Sequence, residues 1–287
     1  MKKTSIVFII ISILLIITGV ILRSQAVSVA KNENVDLFKQ NLNKNGDLVE
    51  AVSFPWENTN KINISMDNTD INIIGNSDRC YAEIINFNSL EYTAYNSNRA
   101  FTVEEDIISS LIGRAQSGDF KFEGIRNYFR FDKHNSKKVI NIYLSPKSTV
   151  KVFDIKINNG NVSVKDINFV CDFDISINKG NVNFKNTPNV SLVKTYIKTG
   201  NVSLDNMCIS ASQIIIENGY INFTTPSECI YNYSVESETG TIKYNNESYK
   251  GKFKQESENN TCVFNAHVGV GNIVINTIEK DNSTKGE

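Results

Sequence analysis

At 287 residues the chain has room for one large domain or two ordinary ones. Its formal net charge of −1 supplies no global basic field, which argues against nucleic acid as a partner. With 21% charged and 10% aromatic residues the composition is that of a folded protein. Its abundant Asn and Ile lean toward strands joined by polar corners.

The first element is apolar. Lys2 and Lys3 precede an uncharged run from Ile6 to Leu22. As a helix rising ~1.5 Å per residue, this run reaches about 25 Å, the short end of a bilayer span. The two lysines orient the amino terminus toward the cytoplasm. The expectation is a cytoplasmic stub at 1–5, a transmembrane anchor at 6–22 and a linker at 23–47, with the remainder extracytoplasmic. The competing reading is a secretory signal cut after Ala26 or Ala30, each of which ends a small-x-small triplet. The unbroken apolar length favours the anchor.

Residues 48–150 are the less orderly part and are expected to form irregular rungs and a cap. Strand-like stretches cover Asp47–Trp56, Ile62–Asn68 and Tyr81–Phe87. Phe101–Gly113 carries helix-like spacing at Val103, Ile107, Ile108 and Leu111, which predicts a short helix. Phe120–Phe131 and Val139–Val150 read as strands again.

From 151 to 278 the chain repeats itself, ahead of a polar tail at 279–287. The repeats centre on Gly160, Gly180, Gly200, Gly219, Gly240 and Gly271, about 20 residues apart except for the last, which follows a loop of about ten extra residues. Ile62–Gly75 is a degenerate relative with Thr69 at the glycine position. Five and three residues before the glycine stand Ile155 and Ile157, Ile175 and Ile177, Thr195 and Ile197, Ile214 and Ile216. Two and four residues after it stand Val162 and Val164, Val182 and Phe184, Val202 and Leu204, Ile221 and Phe223. Each half alternates with period two, the mark of a strand with one buried face. The positions three before and two after the glycine differ in parity, so one straight strand cannot bury both. The chain must bend at the glycine. A unit of this size cannot bury its apolar face alone, whereas stacked copies share a continuous core. The expected fold is therefore all-β, a single-chain parallel β-solenoid. An antiparallel sandwich of hairpins is the alternative, because Asn-Gly also marks hairpin turns.

Asn141–Ile167, followed by repeats of Thr/Asn-Gly-Asn/Thr-Ile/Val at this spacing, resembles the putative-adhesin β-strand-repeat family of bacterial envelope proteins, a domain of unknown function. The likeness runs over about residues 60–278. It implies a β-helical, surface-associated domain, tied in some members to envelope-stress responses, and it brings no catalytic residues.

Several constellations invite chemistry. Asn161, Asn181, Asn201 and Asn272 follow the repeat glycines. Calcium-binding solenoid turns carry Asp at such corners, and these are neutral, so a hydrogen-bonded Asn stack is the better reading. Asp154 and Asp174 share a column that could mimic a glycosidase carboxylate pair, but Lys194 continues it, as a solvated face would. Residues 131–287 contain no Arg. Of the five cysteines, Cys208 and Cys229 both lie eleven residues before a repeat glycine, within reach of a disulfide if rungs stack, although two small residues in one core column is the preferred reading. Trp56 is read as a cap contact and His267 as an outward, solvated residue. No catalytic, cofactor-binding or metal-binding residue is assigned, and no cofactor is expected. The expected role is a membrane-anchored surface binding or scaffold module for an envelope polymer or a surface protein, presenting the columns Ser163, Asn183, Ser203 and Lys165, Lys185, Asp205. The alternative is an envelope-stress module docking on a membrane partner, and a carbohydrate-active enzyme is disfavoured.

Overall fold

Period-two burial, written into the repeats, becomes strand structure in the computed structural model, which describes residues 49–54, 58–87, 92–105, 137–257 and 262–279. The anchor run 6–22, the linker 23–47, Trp56, residues 106–113, the stretch Phe120–Phe131 and the tail from 280 lie outside the described residues. The chain divides into Met1–Leu42 and Asn43–Glu287, and every described residue belongs to the second unit.

The strands are β1 (Val49–Ser53), β2 (Lys61–Asn68), β3 (Asp70–Ile74), β4 (Tyr81–Ile85), β5 (Tyr92–Ser97), β6 (Ala100–Glu105) and β7 (Val139–Tyr143). β8 (Val152–Asn159) and β9 (Val162–Lys165) flank Gly160, while β10 (Cys171–Lys179) and β11 (Val182–Lys185) flank Gly180. β12 (Val190–Asp205), β13 (Ile209–Pro226) and β14 (Tyr231–Tyr244) each run through a corner glycine. β15 (Glu247–Gln255), β16 (Cys262–Val270) and β17 (Ile273–Ile278) follow. Where the sequence pattern predicts a helix, Phe101–Glu105 is strand, because Phe101 and Val103 are both fully buried on one face at spacing two.

The repeats pair in parallel and in phase. Phe153 lies beside Phe173 and Ile155 beside Ile175, and Val182 sits between Val162 and Val202. This rules out the sandwich of hairpins for the repeats. The predicted apolar columns point inward: Ile155, Ile175, Ile197, Ile216, Val182 and Ile221 expose nothing. Fully burying each such side chain contributes about 1.5–3 kcal/mol. Aromatic rings stack along the axis, Phe153 on Phe173 at 4.6 Å and Phe223 on Phe264 at 4.3 Å.

The bend falls at the glycines. Gly180 and Gly200 have φ of 153° and 149°, and a Cβ on either would lie 1.6 Å from the carbonyl oxygen of the preceding corner glycine. Glycine is needed there for close approach as much as for backbone freedom. A second corner six residues on is made by Asp166, Asn186 and Asn206, all with positive φ, a conformation these side chains tolerate. A short third side then buries Ile167, Thr187 and Met207.

Chain order and stacking order agree only in the middle. From the Gly160 rung to the Gly219 rung, each repeat lies on its predecessor. Beyond that, β16 and β17 pair with β13 on one side and β14 on the other. The Gly271 rung is therefore wedged between the Gly219 and Gly240 rungs. The predicted ten-residue loop is in fact β15, antiparallel to β14 and closed by Asn245-Asn246, both at positive φ. The amino-terminal end mirrors this. The Thr69 rung lies between β6/β7 and the Gly160 rung, and β5 folds back antiparallel on β6 through Asn98-Arg99.

Cys208 and Cys229 form a disulfide, with Cα atoms 5.8 Å apart, against the expectation of two unlinked core residues. The rung order explains it. On the third side the Gly219 and Gly240 strands begin in contact, Ile209 N–H donating to the Tyr231 hydroxyl, before β16 separates them. Cys80 and Cys171 are free thiols, and they and Cys262 are buried.

Candidate binding face

Two outward surfaces flank the glycine corner. On the first, Asp154 and Asp174 are register neighbours, as the sequence predicts. Neither carboxylate faces the other as a working pair. Asp154 is held by Lys61 at 3.1 Å and Lys156 at 3.6 Å, and Asp174 by Lys194 at 3.3 Å. Such partly exposed pairs contribute about 0–1 kcal/mol each. His267 is half-buried rather than free in solvent, its Nε2 3.2 Å from Glu238 and its Nδ1 3.9 Å from Glu236 on the neighbouring rung.

At the corner the Asn stack forms. The side-chain N–H of Asn181 donates to Asn161 Oδ1 and that of Asn201 to Asn181 Oδ1, both at 2.9 Å. The same two oxygens accept the backbone N–H of Asn181 and Asn201 at 3.1 and 3.0 Å. At the amino-terminal end Asp70 starts the ladder by accepting from Asn161. At the other end the Tyr220 N–H, at 3.1 Å, caps Asn201. The Tyr220 ring, unable to join an amide ladder, stands 57% exposed.

The second surface carries the columns one, three and five residues after the glycine. Its amino-terminal end is occupied by its own side chains. Tyr143 O–H donates to Glu83 at 3.0 Å and Asn141 to the same oxygen at 3.2 Å, while Tyr81 stacks on Tyr143 at 4.4 Å. Burial, reinforced by Glu83, pushes the Tyr143 phenol up to about 12. Farther along, Ser163, Asn183 and Ser203 lie side by side, with Lys165, Lys185 and Asp205 beside them, as the sequence predicts. The row continues through Asn222, Val274, Lys243 and Ser248. The parallel row next to the corner runs Tyr220, Asn272, Thr241 and Lys250. Thr241, Lys243, Asn272 and Val274 line a shallow concavity there. Sequence reasoning passed over Tyr220 and this carboxyl-terminal end. The available signal was the gap in the Asn column at the Gly219 repeat.

A stacked parallel core with both ends turned back antiparallel, and a flat polar face beside an asparagine corner, defines the class: a capped β-solenoid. The chain belongs to the Toastrack DUF4097 family, which matches residues 27–261, and the resemblance drawn from the repeats is borne out. Among solved structures it is similar to a putative cell adhesion protein from Clostridium sporogenes, 16% identical over 81% of this chain and 100% of that one, with a TM-score of 0.46. It is also similar to a putative adhesin from Bacteroides fragilis, 14% identical over 80% of this chain and 96% of that one, TM-score 0.34. A putative lipid binding protein from Parabacteroides distasonis is 9% identical over 83% of this chain and 98% of that one, TM-score 0.36. No curated protein matches the chain.

Proposed function

We propose that the chain is a membrane-anchored, extracytoplasmic surface module of adhesin-like character, binding an envelope polymer or surface partner through the second face. The observation that carries this reading is the face itself. From the Gly160 rung to β15, its first two columns hold amides, hydroxyls, one Tyr, one Val and two Lys, with no carboxylate. Rigid strands hold such donors and acceptors in rows at about 4.8 Å spacing, which suits a repeating polar ligand more than a reaction. Two further features support the location. The run from Ile6 to Leu22 follows two lysines, and a disulfide persists in oxidising compartments.

The test uses the full-length chain in detergent micelles, mixed with insoluble envelope polymer and washed. Retention is the expected result, and loss of the chain in the wash overturns the reading. A membrane-impermeant amine reagent applied to intact cells should label Lys165 and Lys185, and protection of both would place the solenoid on the cytoplasmic side.

A further inference from the structure

The rows on the second face are not uniform along the axis. In the middle they are neutral, Asn161, Ser163, Asn181, Asn183, Asn201 and Ser203. At the carboxyl-terminal end they acquire an exposed aromatic ring and two cations. Lys250 pairs across the hairpin with Thr241, and Lys243 with Ser248, so both ammonium groups leave the sheet on the same side. Neither lysine forms an ion pair with a described carboxylate. Glu247, on the same hairpin, accepts a hydrogen bond from the Tyr249 hydroxyl at 2.5 Å. The other lysines of β15 differ: Lys252 is paired with Glu236 and Lys254 with Glu256, on the opposite surface or at the strand end.

Tyr220 opens this end, two rungs from Thr241 and three strands from Lys250. At about 4.8 Å per strand, the ring and the Lys250 backbone are separated by about 14 Å along the row. Between them lie the exposed amide of Asn272 and the shallow concavity of Thr241, Lys243, Asn272 and Val274. An aromatic face takes the apolar C–H face of a sugar ring, amides and hydroxyls exchange hydrogen bonds with its hydroxyls, and ammonium groups balance its acid groups. The two ammonium groups and the exposed amide around the concavity suit a charged, hydroxyl-rich ligand better than an acyl chain. Two lysines on a chain of net charge −1 do not make a nucleic-acid footprint.

We propose that Tyr220, Asn272, Thr241, Lys243 and Lys250 form a binding site for an anionic saccharide chain. The proposal deepens the binding reading above and rests on it. Carboxylate-bearing and phosphate-bearing glycans share the chemistry that the lysines recognise, so both are probed.

The experiment measures binding of the full-length chain in detergent micelles to oligogalacturonate and to phosphomannan, against methyl-esterified oligogalacturonate and neutral mannan. At least one anionic glycan should bind, its neutral counterpart at least about tenfold more weakly. The K243Q/K250Q double variant should weaken that binding about tenfold, and raised salt should weaken the wild type, because exposed charges are screened. Tyr220→Ala should weaken it several-fold while Tyr220→Phe retains it. K165Q/K185Q, in the neighbouring column, should change it less than about twofold. These side chains are exposed, so thermal unfolding should be unchanged in every variant. Equal binding of charged and neutral glycans, no binding of either anionic glycan, or full binding by K243Q/K250Q overturns the proposal. If wild type and K243Q/K250Q are retained equally on envelope polymer, this site is wrong and the binding reading stands. If wild type is not retained, the reading beneath it fails.

Discussion

The middle of the solenoid and its two ends solve different problems. Between the Gly160 and Gly219 rungs, every repeat has a like neighbour on both sides, and chain order serves as stacking order. At the ends a rung has no successor, and a bare parallel edge would template association with other chains. Both ends respond with the same device. The chain steps one rung outward, turns back antiparallel through a two-residue hairpin, and leaves another rung between the outer layer and the middle. Regular repetition builds a core, and a departure from it is needed to stop.

The largest expected effect tests the middle. Gly200→Ala would force a Cβ to within 1.6 Å of the Gly180 carbonyl oxygen. It should cost more than about 4 kcal/mol in urea unfolding, in the range reserved for backbone and core disruption. Gly251→Ala, in β15 with nothing within 4 Å of the added Cβ, should cost only about 1 kcal/mol, from its φ of 74°. Equal losses at the two sites would break the distinction between stacked middle and capped end.

The disulfide tests how the carboxyl-terminal end is held. C208S/C229S should lower stability by about 3 kcal/mol, as expected for a closed loop of this size. Hydrogen exchange should accelerate in β14–β17 and leave β8–β11 unchanged. Uniform acceleration along the axis would show that the two regions do not open separately.

An alkaline titration comes next. Burial, with Asp172 as a lesser cause, pushes the Cys171 thiol up to about 12 from an ordinary 9.0. A raised acid pKa means that the folded state keeps its proton while the unfolded chain loses it. This group's contribution therefore falls by up to about 1.4 kcal/mol per pH unit from about pH 9 toward 12. Cys171→Ala should lessen the fall of stability between pH 9 and 10 relative to the wild type, leaving the part that the buried tyrosines contribute. An unchanged slope there would mean that the thiol is already accessible.

The smallest effect is a gain. Thr195 sits between Ile175 and Ile214 in its column, and its buried hydroxyl has no hydrogen-bond partner among the described residues. Thr195→Val should raise stability by about 1 kcal/mol in thermal unfolding, because an unsatisfied buried hydroxyl is removed at nearly constant shape.

Much of the middle was legible because its signal is local. Period-two columns and the parity change at each glycine specify two buried strands and a bend. The order of the end rungs was not legible for a physical reason. The Gly240 and Gly271 repeats present the same column types, so either fits on the Gly219 rung, and only β15 decides between them. That strand is a poor signal in itself, since within Glu247–Gln255 only Phe253 is buried. The cysteine offset was visible, but the bridge depends on two rungs touching ahead of an inserted third. The neutral columns of the second face were found from Ser163, Asn183 and Ser203. Its charged end was hidden because Lys250 joins it across a hairpin.

The wedged rung also has a consequence in time. β16 and β17 follow β14 and β15 in the chain, so a vectorially emerging polypeptide exposes the outer layer before the segment that belongs beneath it. Until that segment arrives, the inner edges of β13 and β14 face each other without their partner, joined only where their strands begin. Chain order makes β16 and β17 the last of the described strands available to fill that gap, as a keystone would. A chain halted before residue 262 would carry an open, strand-hungry slot in place of a finished end.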